Sequence, residues 1–217
     1  MNTNVALLNY NKWLYFILIC VAAIALSTIS EIYLVDDMLF INHFKDQLSY
    51  DRIISILDKQ KEYFWMSYIF IPLLYLVKLV YATSSVYTGL FIQSLKISFA
   101  KVFSVILVCE PIFLLPKIVK FIWFYFFETE YDLLEFRYFY PFSALSITNI
   151  ESLSNWFIYP LQMANLFELL YILVVAYFLK KLLNTDYLSM LVVTLISYGV
   201  GLLLWASLIL FLTVSYS

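Results

Sequence analysis

The sequence predicts an all-α fold: a polytopic integral membrane bundle of about five transmembrane helices plus one amphipathic helix. Three observations carry this. Apolar residues make up 64% of the 217 and charged residues 13%, against about half and a quarter in a soluble domain. Long apolar runs recur along the whole chain, each bounded by charged or turn-forming residues. Aromatic residues reach 20%, which suits lipid-facing and interfacial rings. No Gly/Ser linker or low-complexity block divides the chain, so a single membrane domain over 1–217 is expected.

The first span is expected over 13–35. Its start resembles a signal peptide, with Ala25-Leu26-Ser27 in the place of a cleavage site, but the apolar run is too long and reads as a retained helix. Ala23, Ser27 and Ser30 form a small-residue stripe suited to close packing, and Glu31 continues it. The segment Asp36–Glu62 is the most polar. Phe44, Leu48, Ile53, Ile54 and Leu57 recur there at near-helical spacing, which predicts an amphipathic helix over 42–61. His43, the single histidine, reads as a solvated loop residue.

A second span is expected over 63–82, kinked at Pro72. Lys78 lies one turn from its end and can snorkel. The run ATSSVYTG, 82–89, reads as a short turn. The third span, over 97–121, belongs to the stretch Lys96–Phe127, which as a straight helix would run roughly 48 Å through a hydrocarbon core about 30 Å thick. It contains Glu110-Pro111 and Pro116, so the helix is expected to bend or end there.

An acidic, aromatic loop is expected over 128–155, either capping the bundle or lying at the interface. The fourth span, over 156–179, carries Gln162, Asn165 and Glu168 every third residue on one side. Lys180 and Lys181 follow, then a tight turn at Asn184-Thr185-Asp186. The fifth span, over 187–214, presents Thr194, Ser197 and Gly201 as a packing face. No internal repeat is visible, which gives no support to an inverted-repeat transporter. Lys12 before the first helix and Asp36-Asp37 after it favour an N-terminus inside the cell (inner) membrane. The bases Lys45, Arg52, Lys59 and Lys61 in the following loop argue the other way.

Residue counts exclude whole classes of chemistry. A zinc peptidase needs two histidines one turn apart, and the chain has one histidine in all. Haem ligation by a histidine pair is excluded on the same ground. The glycines are only those at 89, 199 and 201, so there is no glycine-rich phosphate loop. Every Asp lies outside the expected spans, which excludes an aspartate-based intramembrane protease. No catalytic residue, cofactor or metal is expected. Cys20 and Cys109 lie inside apolar runs and read as small buried hydrophobes. A net charge of −2 offers no basic footprint for nucleic acid.

The remaining polar candidates inside the spans are Glu110, Glu168, Asn165, Gln162 and Lys101, with Lys78 and Glu31 beside them. Ionisable groups there cost about 2.5–3.5 kcal/mol on insertion scales, so they face protein and find partners. They hold the bundle together by hydrogen bonds, or they line a path or cavity for a polar ligand.

The final hairpin, Asn165 to Trp205, resembles the Yip/Yif family of five-span membrane proteins. The similar features are an aromatic-rich fourth helix, a double-basic turn at Lys180-Lys181 and a fifth helix starting just after it. The family's long cytosolic N-terminal region has no counterpart in this sequence. The resemblance implies a non-enzymatic membrane protein acting through other proteins. The expected function is therefore a subunit or scaffold of a larger membrane complex, in contact with the bilayer and other membrane subunits. A small transporter or channel using intramembrane carboxylates is the alternative.

Overall fold

The computed structural model describes residues 10–148 and 153–216. Among them every regular element is helical; the one β-type pairing is an isolated antiparallel bridge between Ser143 and Asn165. Four helices are long and apolar enough to cross a membrane, over Lys12–Leu34, Tyr68–Ile92, Phe99–Phe126 and Tyr187–Ser215. That is one fewer than the sequence led us to expect.

Helix α1 spans Lys12–Leu34 and opens where Asn11 Oδ1 accepts the backbone N–H groups of Trp13 and Leu14. The amphipathic segment is two helices, α2 (Asp37–Phe44) and α3 (Tyr50–Tyr63), with non-helical backbone between them. This corrects the expected single helix over 42–61. Ser49 starts α3 afresh in an extended conformation, so Phe44 and Leu48 precede the helix whose apolar face buries Ile53 and Leu57.

Helix α4 runs unbroken from Trp65 to Ile92, through Pro72 and through the residues expected to turn. The reason is local. The hydroxyls of Thr83, Ser84, Ser85 and Thr88 each donate to the carbonyl four residues earlier. They are satisfied inside the helix, and their small size lets α10 approach. The chain turns instead at 93–98, where Ser94 adopts a φ of 56°.

The third span changes character at its prolines. Helix α5 (Phe99–Cys109) gives way to a 3-10 segment, Glu110–Leu114, and then to α6 (Leu115–Phe126). Pro111 and Pro116 each stand in the first turn of the piece they begin, where a missing N–H costs nothing. The span also continues to Phe126, past its expected end at 121. Beyond it, α7 (Leu133–Tyr138) folds back so that Phe136 and Phe139 pack edge-on against Phe124. Lys120 donates to the Phe136 carbonyl. The acidic, aromatic loop thus lies against one end of the bundle; its residues 149–152 lie outside the described residues.

The expected fourth span is also corrected. It consists of α8 (Asn155–Met163) and α9 (Leu166–Leu183), interrupted at Ala164-Asn165. Asn165 takes an extended conformation and caps α9. Asn184 ends α9 in the left-handed conformation at φ 52°, and Asp186 caps α10 (Tyr187–Tyr216) by accepting from Leu188 and Ser189. The core lies where α4, α5, α9 and α10 meet. Leu79, Val86, Leu90, Ile106, Val175 and Leu179 are fully buried there.

Candidate functional site

The polar candidates converge from separate elements. Glu110 stands on the 3-10 segment that Pro111 imposes, and its side chain is only 1% exposed. Lys78 of α4 reaches it, with Nζ 2.7 Å from Glu110 Oε1. The same ammonium sits 3.2 Å from the centroid of the Phe113 ring, one turn along the 3-10 segment. Glu110 Oε2 is buried and has no hydrogen-bond partner among the described residues. The pair is therefore held from one side only.

The helix break builds the second half. Asn165 Oδ1 accepts the backbone N–H of Glu168, and Asn165 Nδ2 donates to the carbonyls of Gln162 and Met163. This is half of a capping box. In the complete motif the Glu side chain would return to the cap's own N–H. Here the Asn165 N–H donates to Met163 O, and Glu168 Oε2 instead accepts from the Tyr198 hydroxyl of α10 at 2.9 Å. Gln162 Nε2 donates to the Tyr138 carbonyl.

The segment after α7 closes the break. Ala144 N–H donates to Ala164 O, and Leu166 N–H donates to Phe142 O. Backbone groups that the interrupted helix leaves open are thereby satisfied by a neighbouring chain segment, as non-helical backbone inside an apolar bundle requires. This pairing also carries Tyr140 toward Glu168. Burial, reinforced by Glu168 and Tyr159 nearby, pushes the Tyr140 phenol well up from its ordinary range, so it stays a neutral hydroxyl.

Between these parts lies a cavity of about 410 Å³. Its walls carry Lys78, Lys117, Glu168 and Gln162, with the rings of Tyr140 and Trp205 among the aromatic lining. Trp205 Nε1 donates to the Tyr159 hydroxyl at 2.9 Å. The Phe113, Tyr171 and Tyr198 rings pack in series, at 4.9 and 5.1 Å between centroids, from the Glu110 side to the Glu168 side. The volume falls in the about 300–1,000 Å³ range usual for small-ligand pockets.

Of the sequence candidates, Glu168, Asn165 and Gln162 line this cavity and Glu110 sits behind Lys78. Lys101 does not join them; it is exposed near the start of α5. Glu31 lines a different cavity, beside α2 and α3. Sequence reasoning missed Lys78 as the partner of Glu110, although opposite charges in two apolar spans are themselves a pairing signal. It had no signal for Tyr140, which reaches the site through loop pairing.

Compared with models of known protein families, with characterised proteins and with solved structures, the chain matches none.

Proposed function

We propose that the protein is a non-enzymatic helical subunit or scaffold of a larger membrane complex, seated in the cell membrane with its N-terminus inside. The observation that supports this most is a groove of about 450 Å³ along α4 and α10. It is open outward, lined by Ser84, Thr88 and Gln93 on one wall and Val192, Ile196 and Val200 on the other. The hydroxyls of Ser84 and Thr88 bond only to their own helix. A groove of this make-up along two membrane-length helices suits a transmembrane helix of a partner, whose side chains would fill it. A photo-crosslinking residue at Ile196 should join the protein to one stoichiometric partner in native membranes. The same residue at Ile17 on α1 should not. Ser84→Leu, which fills the groove, should release that partner. Lipid adducts alone at Ile196, with a monomer recovered, would overturn the reading.

A small transporter is the second reading, favoured by the cavity at Glu168. Against it, Glu110 is sealed behind Lys78 and Phe113 and does not face that cavity.

A further inference from the structure

Two opposite charges stand on the walls of the Glu168 cavity without meeting each other. Among the described residues the ion pairs within 4 Å are Lys61–Asp37 and Lys78–Glu110, and neither includes Lys117 or Glu168. Lys78 is paired with Glu110 and lies over the Phe113 ring, with 38% of its side chain left exposed. Lys117 Nζ donates to Ser27 Oγ at 3.1 Å, a neutral partner. Glu168 accepts the Tyr198 hydroxyl, also neutral. Apart from the Lys78–Glu110 pair, the cavity thus carries one further basic and one further acidic side chain, each hydrogen-bonded to a neutral group and in no ion pair within 4 Å. Uncompensated charges in an apolar surrounding are costly, and a matching opposite charge removes much of that cost.

We infer that this cavity binds a zwitterion, a molecule carrying a primary ammonium and an anionic oxygen acid on a short linker. The ammonium meets Glu168 and the anionic group meets Lys117. A ligand with both charges satisfies both walls and brings no net charge into the bundle. A simple cation or anion would answer one wall and leave the other unpaired. Tyr140 and Trp205 supply flat apolar surface for the body of the ligand and, at Tyr140, a neutral donor. This chemistry has two natural sources, a free α-amino acid or the head group of an aminophospholipid. The inference concerns binding alone and does not depend on whether the chain is a subunit or a transporter.

The test uses the full-length protein in lipid discs of phosphatidylglycerol, which carries no amine, with thermal unfolding followed by tryptophan fluorescence. L-phenylalanine, 2-phenylethylamine and 3-phenylpropionate share a body and differ in charge. The zwitterion should raise Tm saturably, with at least tenfold higher apparent affinity than either singly charged analogue. Glu168→Gln and Lys117→Met should each remove that preference. A second set of discs replaces half of the lipid with phosphatidylethanolamine. If the lipid head group is the occupant, the starting Tm rises and phenylalanine loses apparent affinity. If a free solute is the occupant, phenylalanine titrates alike in both discs. A zwitterion preference, or a rise in the starting Tm with phosphatidylethanolamine that Glu168→Gln abolishes, supports the inference. Equal responses to the three compounds, or none, together with no lipid effect, overturn it. Where a variant does not fold, the comparison on the unaltered protein decides.

Discussion

Lys78 Nζ stands 2.7 Å from Glu110 Oε1, joining the middle of α4 to the 3-10 segment at the centre of the third span. Glu110 is sealed, while Lys78 keeps 38% of its side chain exposed. Removing one partner of a buried pair costs about 3–5 kcal/mol when both are sealed. The exposure of Lys78 lowers that figure here. Lys78→Met should therefore lower the unfolding temperature in detergent clearly, because it strands Glu110. Glu110→Gln should cost less, since the amide keeps the size and a hydrogen-bond acceptor. The double change Lys78→Met with Glu110→Leu should recover much of the loss. Additive losses in the double variant would show that the pair is not coupled.

The glycines of α10 and α4 give a second prediction with a built-in control. A Cβ at Gly201 would collide with Ser85, and one at Gly89 with Ser197, whereas one at Gly199 meets nothing within 4 Å. Forcing a methyl group into a packed crossing typically costs about 1–3 kcal/mol. Gly201→Ala and Gly89→Ala should each destabilise the bundle by that order. Gly199→Ala should be neutral or slightly stabilising, since alanine favours a helix by about 1 kcal/mol over glycine. Unfolding of the three variants in one detergent decides this, and equal behaviour at 199 and 201 would refute the crossing.

What the sequence revealed, and what it hid, follows from which forces act locally. Hydropathy marked α1 and α10 nearly to the residue, and the ring of Pro111 marked the end of α5, because burial in lipid and a missing N–H are properties of the residue itself. Thr83, Ser84, Ser85 and Thr88 misled, because their preference for turns is reversed once their hydroxyls bond back to the helix. The spacing of Gln162, Asn165 and Glu168 suggested one helix face. Asn165 instead ends the regularity by capping α9, and its cap is completed by Phe142 and Ala144 from a distant loop. Lys78 and Glu110 were both visible as charges in apolar runs, but their contact is a tertiary fact, 32 residues apart.

The cap at Asn165 makes a third prediction. Its side chain satisfies the Glu168 N–H and two carbonyls at once. Loss of an N-cap side chain costs about 0.5–2 kcal/mol, and the two carbonyls add to it because they lie where water is scarce. Asn165→Leu should destabilise by at least that amount. Asn165→Asp keeps the acceptor and should retain part of the stability, although it loses both donated bonds. The order Asn, Asp, Leu in unfolding temperature checks the cap; Leu equal to Asn would contradict it.

The last prediction concerns which loops share a side of the membrane. One end of the bundle is fixed by Lys12 Nζ donating to Ala100 O at 3.2 Å, and by Gln93 and Leu95 bordering one cavity with Thr185 and Asp186. The other end is fixed by Tyr131 donating to Leu34 O at 2.6 Å. Gly201 against Ser85 and Gly89 against Ser197 make α10 antiparallel to α4. These contacts run the broken pair α8–α9 from the second end to the first, and we predict that it serves as a fifth crossing although neither piece passes as a span by itself. Ser49 and Ser146 are exposed and belong to the second end, while Ser98 is exposed at the first. The native Cys20 and Cys109 are buried, which leaves little background for thiol chemistry. With the N-terminus inside, cysteines at Ser49 and Ser146 should both react with an impermeant maleimide in intact cells. One at Ser98 should react only after the membrane is opened. Labelling at Ser98 alone would keep this arrangement of crossings and reverse its orientation. Labelling that separates Ser49 from Ser146 would break the arrangement itself, and with it the role of α8–α9 as a crossing.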